Sequence, residues 1–531
     1  MGSMTSVVAR ATTSTWVAKV ELKTSPGDRR RLNSAVEATR LAYNAALGEA
    51  LKRLRQMRRP KAWREARELP TKEKREAYRE MQARAGFSHF DLAKWLTQRV
   101  YWKDQDSKTK TDVGLHINTY VMSVIAKRAQ EVAERYKNSP KARPRFRRYR
   151  EVNLIPSRTN GPFRYKEGCV LFKNDLCKLR MPLLLDQEDP YHQLIEPDAI
   201  KYIELKRETI RNRERWYAII VMEGEPPTKD AHRGDLESTV GVDIGTQTVA
   251  AVGPANKEQV LEVLSPSSEL LEKERRVIQR QMDRQRRANN PDAFDDRGRV
   301  VARRGYRWKQ SKRYKRTRRR LSEIMRRQRE RRKLEHQALA NRITDLGAVV
   351  RMEKLSWKGF QQSRYGKTQG FRAPGSFAAI LEYAAQRAGG QVEWIDTRKT
   401  ALSQYNHVTD ERHPEDARLG KRWKTIDGQR VQRDLYSAFL ARHVNQNVID
   451  RSAILREWTA ACSSLQRAVD RDLTSRVRHL PSSLGVKPGG EKSAACPEDR
   501  RLRADGRDLS SPRKRSPSGS GVGKTSETLQ E

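Results

Sequence analysis

The spacing of apolar residues predicts strands at both ends of the N-terminal part of the chain and helices between them. Apolar and polar residues alternate over residues 15–23, as in a half-buried strand, and a Pro-Gly turn follows. Residues 29–137 have helical spacing with breaks at Pro60, at Pro70 and at residues 104–107. Short strands return at residues 150–155, 169–172, 200–205 and 216–221. The simplest architecture joins these strands in one small barrel with the helices inserted.

A second apolar core is predicted from about residue 239. Thr239–Gly245 is typical of a buried strand, and residues 249–252 of its hairpin partner. The further predicted elements are helical residues 267–346, a strand at 348–353, a helix at 377–388, a strand at 391–395 and helices at about 432–445 and up to 468. Residues 398–430 are polar, so we expect them to be irregular.

The chain beyond about residue 480 is rich in Ser, Gly, Pro, Lys and Arg and poor in apolar residues. Such a composition cannot offset the entropy of ordering, so we expect a disordered basic tail. Ser518–Thr525 imitates a phosphate-binding loop, but the first glycine of that motif is missing and no strand precedes it. We therefore expect no nucleotide binding there.

The 531 residues include 110 Lys and Arg against 66 Asp and Glu, a formal net charge of +44. Nucleic acid, an anionic membrane surface and an acidic protein are the candidate partners, and a solvated basic surface is the alternative to all three. Aromatic residues among the basic ones favour nucleic acid, through phosphate contacts and stacking. The expected contacts are Arg147, Arg148, Tyr149, Tyr306, Trp308, Arg313, Arg316, Arg319, Arg320, Arg326, Arg327, Lys421, Arg422 and Trp423.

Membrane-spanning and disulfide-rich classes are excluded by composition. No run of about eighteen apolar residues occurs without a charge. The four cysteines are scattered and do not form paired Cys-x-x-Cys spacings. We therefore expect a protein of a reducing cytosol.

Three carboxylates are the candidate chemistry. Asp243 lies in a predicted strand, Glu353 at the end of another, and Asp434 at the start of a late helix. A carboxylate in an apolar strand is costly unless its charge is compensated, and a divalent cation is the usual compensator. Their order is that of an RNase H-like nuclease, in which two Mg²⁺ ions about 4 Å apart activate a water and stabilise the leaving 3′ oxygen.

Each carboxylate also has an ordinary structural explanation. Asp434 would complement a helix dipole, Glu353 would pair with Lys354 or Arg351, and Asp243 would sit in a turn. Only their combination points to catalysis.

Three sequence motifs resemble those of TnpB, the transposon-encoded RNA-guided nuclease, and of the miniature type V CRISPR effectors of the Cas12-like family close to it. Val240–Thr246 is similar to the first RuvC motif, Arg351–Leu355 to the second and Arg433–Ala438 to the third. Leu41–Asn44 and Arg215–Tyr217 extend the resemblance, which reaches about residue 444.

The resemblance implies a multidomain α+β fold: a wedge β-barrel with an inserted helical recognition domain, then an RNase H-like (RuvC) α/β domain with an Arg-rich helical insertion. It also implies guide RNA, target double-stranded DNA, a short target-adjacent motif and cleavage at one metal site formed by Asp243, Glu353 and Asp434. The implied boundaries are 4–28 and 139–235 for the wedge barrel, 29–138 for the recognition domain, 236–264, 341–400 and 431–468 for the RuvC core, 265–340 for the Arg-rich insertion, 401–430 for a degenerate zinc-ribbon or target-strand loading loop, and 469–531 for the tail.

The chain departs from the family in the loading loop. The family usually carries two zinc-binding cysteine pairs there, whereas no cysteine lies between Ser403 and Asp434. His407 and His413 remain, and we expect both to be ordinary surface residues, so no zinc is expected. Basic residues of the loop, Arg418 and Lys424 among them, are expected to face DNA. The missing cysteines favour a CRISPR-associated protein over a transposon protein.

The leading hypothesis is an RNA-guided, Mg²⁺-dependent DNA endonuclease, with Mn²⁺ as an alternative ion and a monomer favoured over an oligomer. The alternatives are an RNA-guided DNA-binding protein, or repressor, without efficient cleavage, and a guide-independent, transposase-associated nucleic-acid-binding protein. The complete set of carboxylates favours the nuclease.

Overall fold

The computed structural model describes residues 14–474 except 105, 108, 140–141, 227, 229–231, 304, 363–365 and 418–420. Residues 475–531 of the expected tail lie outside the described residues, and so does the motif at 518–525 that imitates a phosphate-binding loop. The last described helix ends at Thr474, so the predicted boundary of the tail at residue 469 falls within a helix.

The N-terminal unit combines a sheet with a layer of helices. Its elements are β1 (Thr15–Leu22), α1 (Pro26–Arg58), α2 (Lys61–Glu65), α3 (Thr71–Arg84), α4 (His89–Leu96), β2 (Trp102–Asp104), β3 (Thr109–Lys110), α5 (Asp112–His116), α6 (Thr119–Asn138), β4 (Leu154–Ile155), β5 (Phe163–Lys166), β6 (Cys169–Lys173), β7 (Lys178–Leu184), α7 (Pro190–Gln193), β8 (Ile200–Ile210) and β9 (Arg213–Glu223).

Seven antiparallel strands form its sheet in the order β4-β8-β9-β1-β7-β6-β5. Trp16, Ala18, Val20 and Leu22 are buried while the residues between them are more exposed, as the alternation in β1 predicts. Strand β5 at one edge also lies against β8 near the other, so the sheet curls into a half-barrel. The expected barrel is therefore present in this partly closed form, and β5 and β7 are additions to the prediction.

Helix α1 begins earlier than the sequence pattern predicts. Ser25 is its N-cap, and its hydroxyl accepts a hydrogen bond from the Asp28 N–H (3.1 Å) while the Asp28 carboxylate accepts one from the Ser25 N–H (2.9 Å). Small buried residues along α1 pack against α4 and α6 in the same apolar core as the sheet.

The second unit begins after the connection that follows β9. Its elements are β10 (Thr239–Ile244), β11 (Thr248–Val252), β12 (Val260–Val263), α8 (Ser267–Asn289), α9 (Lys312–Leu346), β13 (Val349–Glu353), α10 (Trp357–Gln362), α11 (Gly366–Arg372), α12 (Pro374–Arg387), β14 (Gln391–Ile395), α13 (Thr397–Thr400), β15 (Tyr405–Asn406), β16 (Glu411–Arg412), β17 (Trp423–Ile426), β18 (Gln429–Gln432), α14 (Arg433–Arg442), β19 (Val444–Asn445), β20 (Val448–Ile449) and α15 (Arg451–Thr474).

Its five-stranded sheet has the order β12-β11-β10-β13-β14. Strands β10, β13 and β14 are parallel, and β11 and β12 join as antiparallel hairpins. Val240 and Val242 face a core that includes α9 and α12, whereas α14 and α15 share a core with side chains of β11 and β12. The sheet is therefore covered by helices on both faces.

Two predicted elements differ from the observed ones. The helical stretch 267–346 is two helices, because residues 290–311 form a connection with a short 3-10 turn. The region expected to be irregular, 398–430, contains the hairpins β15–β16 and β17–β18.

No helix within the described part of the chain is both long enough and apolar enough to cross a bilayer. The three described cysteines, Cys169, Cys177 and Cys462, are all free thiols.

Candidate active site

Asp243 and Glu353 lie side by side at the carboxyl ends of two parallel strands. The last paired residues of β10 and β13 are Val242 and Met352, and each carboxylate is the next residue of its strand. Neighbouring strands are about 4.8 Å apart, and residues in the same register point to the same face. The two side chains therefore emerge on one face of the sheet, which α14 covers.

Gly241 allows α14 to lie directly on that face. A Cβ atom at residue 241 would lie 2.0 Å from the Ala438 carbonyl oxygen and 2.4 Å from the Arg442 nitrogen. Only a glycine permits such an approach of helix backbone to strand. Because Ala438 is one helical turn beyond Asp434, this docking brings the start of α14 towards Asp243.

Asp434 occupies the first turn of α14 and is buried, with 7% of its surface exposed. The Gln432 side chain caps the helix by accepting a hydrogen bond from the Leu435 N–H (2.7 Å). The helix N-terminus favours a carboxylate at this point. The dipole explanation therefore fits Asp434, and it is compatible with the predicted metal-binding role.

The three carboxylates interact electrostatically. Burial raises the pKa of Asp243 well above its usual value, and the charges of Asp434 and Glu353 raise it further. Burial also raises the pKa of Glu353, to about 7. The structure therefore gathers the predicted trio in one region, and their catalytic and metal-binding roles stay predictions.

Two arginines face this negative charge. Arg422 and Arg433 both act to lower the pKa of Asp243. The Arg433 guanidinium donates hydrogen bonds to Asp434 Oδ1 (3.0 and 3.2 Å) and to the Lys421 carbonyl oxygen (3.0 Å). Sequence reasoning included Arg422 among nucleic-acid contacts but missed Arg433 as a site residue, although it directly precedes Asp434.

The donor chemistry of the trio suits a hard cation. Carboxylate oxygens are the ligands that Mg²⁺ prefers, and a cation would relieve the repulsion that raises the pKa of Asp243. Within the described ranges, however, no group of three or more His, Cys, Asp or Glu side chains is arranged to hold one metal ion. The oxygen donors thus fit Mg²⁺ in kind, without forming a complete set of ligands in this conformation.

The basic loop that precedes β4 exposes Arg147, Arg148 and Tyr149. Asn44 on α1 holds this loop: its side chain accepts a hydrogen bond from the Arg147 N–H (2.8 Å) and donates one to the Arg147 carbonyl oxygen (2.8 Å). The Arg147 guanidinium lies 5.7 Å from the centre of the Tyr43 ring. Tyr43 and Asn44, which belong to the family resemblance, therefore position a predicted nucleic-acid contact.

Helix α9 presents its arginines unevenly. Four of the six predicted contacts are exposed, and two are half-buried; the exposed ones are Arg313, Arg316, Arg319 and Arg320, and the half-buried ones are Arg326 and Arg327. Arg326 forms an ion pair with Glu323 (2.7 Å). The predicted contacts in the N-terminal half of α9 are thus more exposed than Arg326 and Arg327.

Tyr306 and Trp308 lie half-buried between α8 and α9, with their ring centres 5.0 Å apart. The Arg286 guanidinium lies 3.8 Å from the centre of the Trp308 ring. This face of Trp308 is already covered, so the predicted base stacking would have to use the opposite face.

The segment between α13 and α14 corrects three expectations. Lys421 is exposed and Arg422 and Trp423 are half-buried, but Lys424, expected to face DNA, is buried. Arg418 lies outside the described residues. His407 is 0% exposed rather than on the surface, because it packs against the Trp458 ring (4.7 Å), and His413 is only partly exposed.

Burial lowers the pKa of His407 to about 4, and its Nδ1 lies 2.8 Å from the Tyr436 hydroxyl. His407 therefore belongs to the aromatic core beneath α14.

No family model matches the chain, and no curated protein matches it. Among solved structures, it is similar to the protein of a Cas12f1–sgRNA–target DNA complex, with a TM-score of 0.42 and 11% identity, over 80% of this chain and 98% of that chain. It is also similar to a CRISPR-Cas12f ternary complex, with a TM-score of 0.27 and 11% identity, over 80% and 82% of the two chains. Both TM-scores lie below 0.5, so neither similarity establishes the function of this chain.

Proposed function

We propose that this chain is an RNA-guided DNA endonuclease of the RuvC type, belonging to the miniature type V CRISPR effectors close to TnpB. The observation that carries the proposal is the convergence of Asp243, Glu353 and Asp434, whose charges act on one another. Carboxylates spread over three distant parts of the sequence meet at one edge of a sheet. A purely structural role would not require them to repel one another.

Asp243, Glu353 and Asp434 would hold two Mg²⁺ ions through their carboxylate oxygens. The chemistry that bound Mg²⁺ supplies is activation of a water molecule and stabilisation of the leaving 3′ oxygen. Arg422 and Arg433 stand beside the carboxylates and would bind and orient the phosphate of the strand to be cut. Burial under α14 limits the water that competes for these groups.

The basic surfaces suit the guide and its target. The exposed arginines in the N-terminal half of α9 and the loop at Arg147–Tyr149 offer cations to phosphate backbones, which contribute affinity but no sequence information. In an RNA-guided protein, base pairing supplies the sequence specificity and the protein reads a short target-adjacent motif. The proposal therefore includes a copurifying guide RNA and a target in double-stranded DNA.

A second candidate is an RNA-guided DNA-binding protein that does not cut efficiently. It is favoured by the lack, among the described residues, of three side chains arranged to hold one metal ion. The two candidates share every nucleic-acid contact and differ only in the acidic site.

A plasmid cleavage assay with Mg²⁺ and the RNA that copurifies with the full chain separates the two. We expect cleavage that EDTA abolishes, and Asp243→Ala should remove cutting while leaving guide and target binding within about twofold. Glu393→Gln, a change on the neighbouring strand β14 of a carboxylate paired with Arg351 (2.7 Å), is the matched control and should still cut.

Retained cleavage by Asp243→Ala would overturn the assignment of the site. Target binding without cleavage by the wild-type chain would favour the second candidate. Sequencing of the copurified RNA distinguishes a repeat–spacer guide from a transposon-end RNA, and a lack of any discrete RNA would point to a guide-independent protein.

A further inference from the structure

A buried ammonium group lies at the centre of the segment between α13 and α14. The Lys424 side chain is 2% exposed. Its Nζ donates hydrogen bonds to the carbonyl oxygens of Ser403 (3.1 Å) and Tyr405 (3.2 Å) and pairs with Asp416 Oδ2 (3.3 Å). An ammonium has three donors, and all three have acceptors here. We call this arrangement the Lys424 hub.

Burying this charge is unfavourable, which indicates that the hub has a role. Burial lowers the pKa of Lys424, and the Asp416 carboxylate only partly opposes this effect. A buried charge is tolerated where its hydrogen bonds are all satisfied, and removing one partner then destabilises the structure strongly. The Tyr436 ring, whose centre is 5.2 Å from Nζ, supplies a further contact.

The hub joins three short pieces of chain that contain little regular secondary structure. Ser403 and Tyr405 lie at the start of the first hairpin, Asp416 lies in a 3-10 turn, and Lys424 lies in β17 of the second hairpin. Segments of this size usually need a disulfide or a structural metal to fix them. The segment has no cysteine, and no metal-binding cluster exists among the described residues. Apolar side chains of the segment, such as Leu402 and Val431, pack with α14 and α15, and the ammonium adds a buried polar contact that joins all three pieces.

The hub is connected directly to the carboxylates. Arg433, at the end of the second hairpin, donates its N–H to the Arg422 carbonyl oxygen (2.9 Å) and its guanidinium to the Lys421 carbonyl oxygen (3.0 Å) and Asp434. Arg422 and Arg433 thus lie opposite each other at the open end of the hairpin β17–β18, and Lys424 lies two residues beyond Arg422 on the first strand. Loss of the hub would release both guanidinium groups from their places.

We propose that Lys424 is a positioning residue, whose ammonium staples the two-hairpin segment (residues 401–417 and 421–433) without a metal and holds Arg422 and Arg433 at the carboxylates. The consequence for cleavage rests on the function proposed above. The consequence for the order of the segment is independent of that function, so the effect on order and the effect on cleavage can be tested separately.

The test compares Lys424→Met, which keeps the length of the side chain but removes the charge, with Lys421→Met. Lys421 also pairs with Asp416 (3.3 Å) but is 48% exposed, so it is a matched control. Hydrogen exchange of the full chain should become about tenfold faster or more for amides of residues 403–413 in Lys424→Met, because the variant removes charged hydrogen bonds. Exchange in the N-terminal sheet should not change, and the exchange rates of Lys421→Met should resemble those of the wild type.

The second readout is cleavage at saturating target DNA. Lys424→Met should reduce the cleavage rate about tenfold or more while the affinity for target DNA stays within about twofold. Asp416→Asn leaves the two carbonyl acceptors of Lys424 in place, so exchange and cleavage should change in the same direction but by less. If Lys424→Met unfolds the second unit, Asp416→Asn decides whether the contacts of Lys424 order the segment. Metal analysis should find less than one zinc per chain.

Unchanged hydrogen exchange of residues 403–413 in both Lys424→Met and Asp416→Asn would overturn the proposal that Lys424 orders the segment. One bound zinc per chain would overturn it as well. Faster exchange with an unchanged cleavage rate would overturn the positioning role. If the wild-type chain does not cleave at all, the proposed function fails, and the exchange measurements still decide whether Lys424 orders the segment.

Discussion

Gly241 determines how closely α14 approaches the sheet. The helix backbone occupies the place where a side chain at residue 241 would lie, and this docking brings the start of α14 towards Asp243. The sequence indicates that Gly241 permits a close approach but does not identify what approaches. Contacts between residues nearly two hundred positions apart are decided only when the chain is folded.

Replacing Gly241 with Ala should lower the free energy of unfolding by about 1–3 kcal/mol, because the Cβ atom overlaps the backbone of α14. It should also abolish or strongly reduce cleavage by displacing Asp434. Gly370→Ala is the control, since α11 has open space at that position and alanine favours a helix. Thermal unfolding and the plasmid assay measure both effects, and a fully stable, active Gly241→Ala variant would contradict this account.

His336 is a buried imidazole of α9, 1% exposed, whose ring lies 5.4 Å from that of Phe377. Burial, and secondly the charge of Arg332, lower its pKa to about 4 from the ordinary 6.5. Its neutral form therefore supports the fold above pH 6.5, and that stability is lost progressively as the pH falls from about 6.5 towards 4.

Replacing His336 with Leu should reduce the loss of stability between pH 7.5 and pH 5.5 by about 1 kcal/mol, because leucine takes up no proton. Denaturant titrations of both proteins at the two pH values measure the difference. An identical pH dependence in the variant and the wild type would show that His336 is not protonated on unfolding.

Helix α9 has two different halves. Its C-terminal half packs under the five-stranded sheet through residues such as Leu339 and Ile343, while its N-terminal half exposes a row of arginines. Charge density alone predicts a helix that lies along phosphates over its whole length. In the structure, the C-terminal half also contributes apolar side chains to the core of the second unit.

Replacing Arg313, Arg316 and Arg320 together with Gln should weaken binding of the guide–target duplex and make its salt dependence less steep. The slope of log K against log salt should change by about 0.9 for each phosphate that the variant no longer neutralises. Arg326→Gln is the matched control, because Arg326 already pairs with Glu323 (2.7 Å) and should contribute less. An unchanged salt slope in the triple variant would exclude this face as the duplex-binding surface.

The two-hairpin segment is among the elements that the sequence pattern did not predict. Asp427 and Gly428 form a two-residue turn with positive φ (49° and 72°), and an Asp-Gly pair between short alternating stretches is a strong hairpin signal. The sequence carries this signal, but the surrounding polar residues mask it. The burial of Lys424 and His407 has no such local signal, because it depends on α14 and α15.

The whole molecule contains separate apolar cores. One cluster spans the N-terminal sheet and α1 to α6, and two others lie on opposite faces of the five-stranded sheet. Among the described residues, none of these clusters includes side chains from both units. The units should therefore unfold with separate transitions.

Trp216→Ala and Phe439→Ala test this independence, since both side chains are fully buried and lie in different units. Each should destabilise its own unit by about 3–5 kcal/mol and shift only one transition in differential scanning calorimetry. A single transition that both variants shift equally would show instead that the two units unfold together.

The sequence by itself determined the strands and helices with strong periodicity, the net charge of +44 from which a polyanionic partner is expected, and the three carboxylates that form the candidate set. These follow from local spacing and composition, which a chain carries before it folds. The tertiary structure alone decided that Asp243, Glu353 and Asp434 meet, that Arg433 joins them, and that Lys424 is a buried cross-link rather than a surface contact. Such features depend on burial and on distances between remote residues, and these come into being only when the helices dock on the sheet.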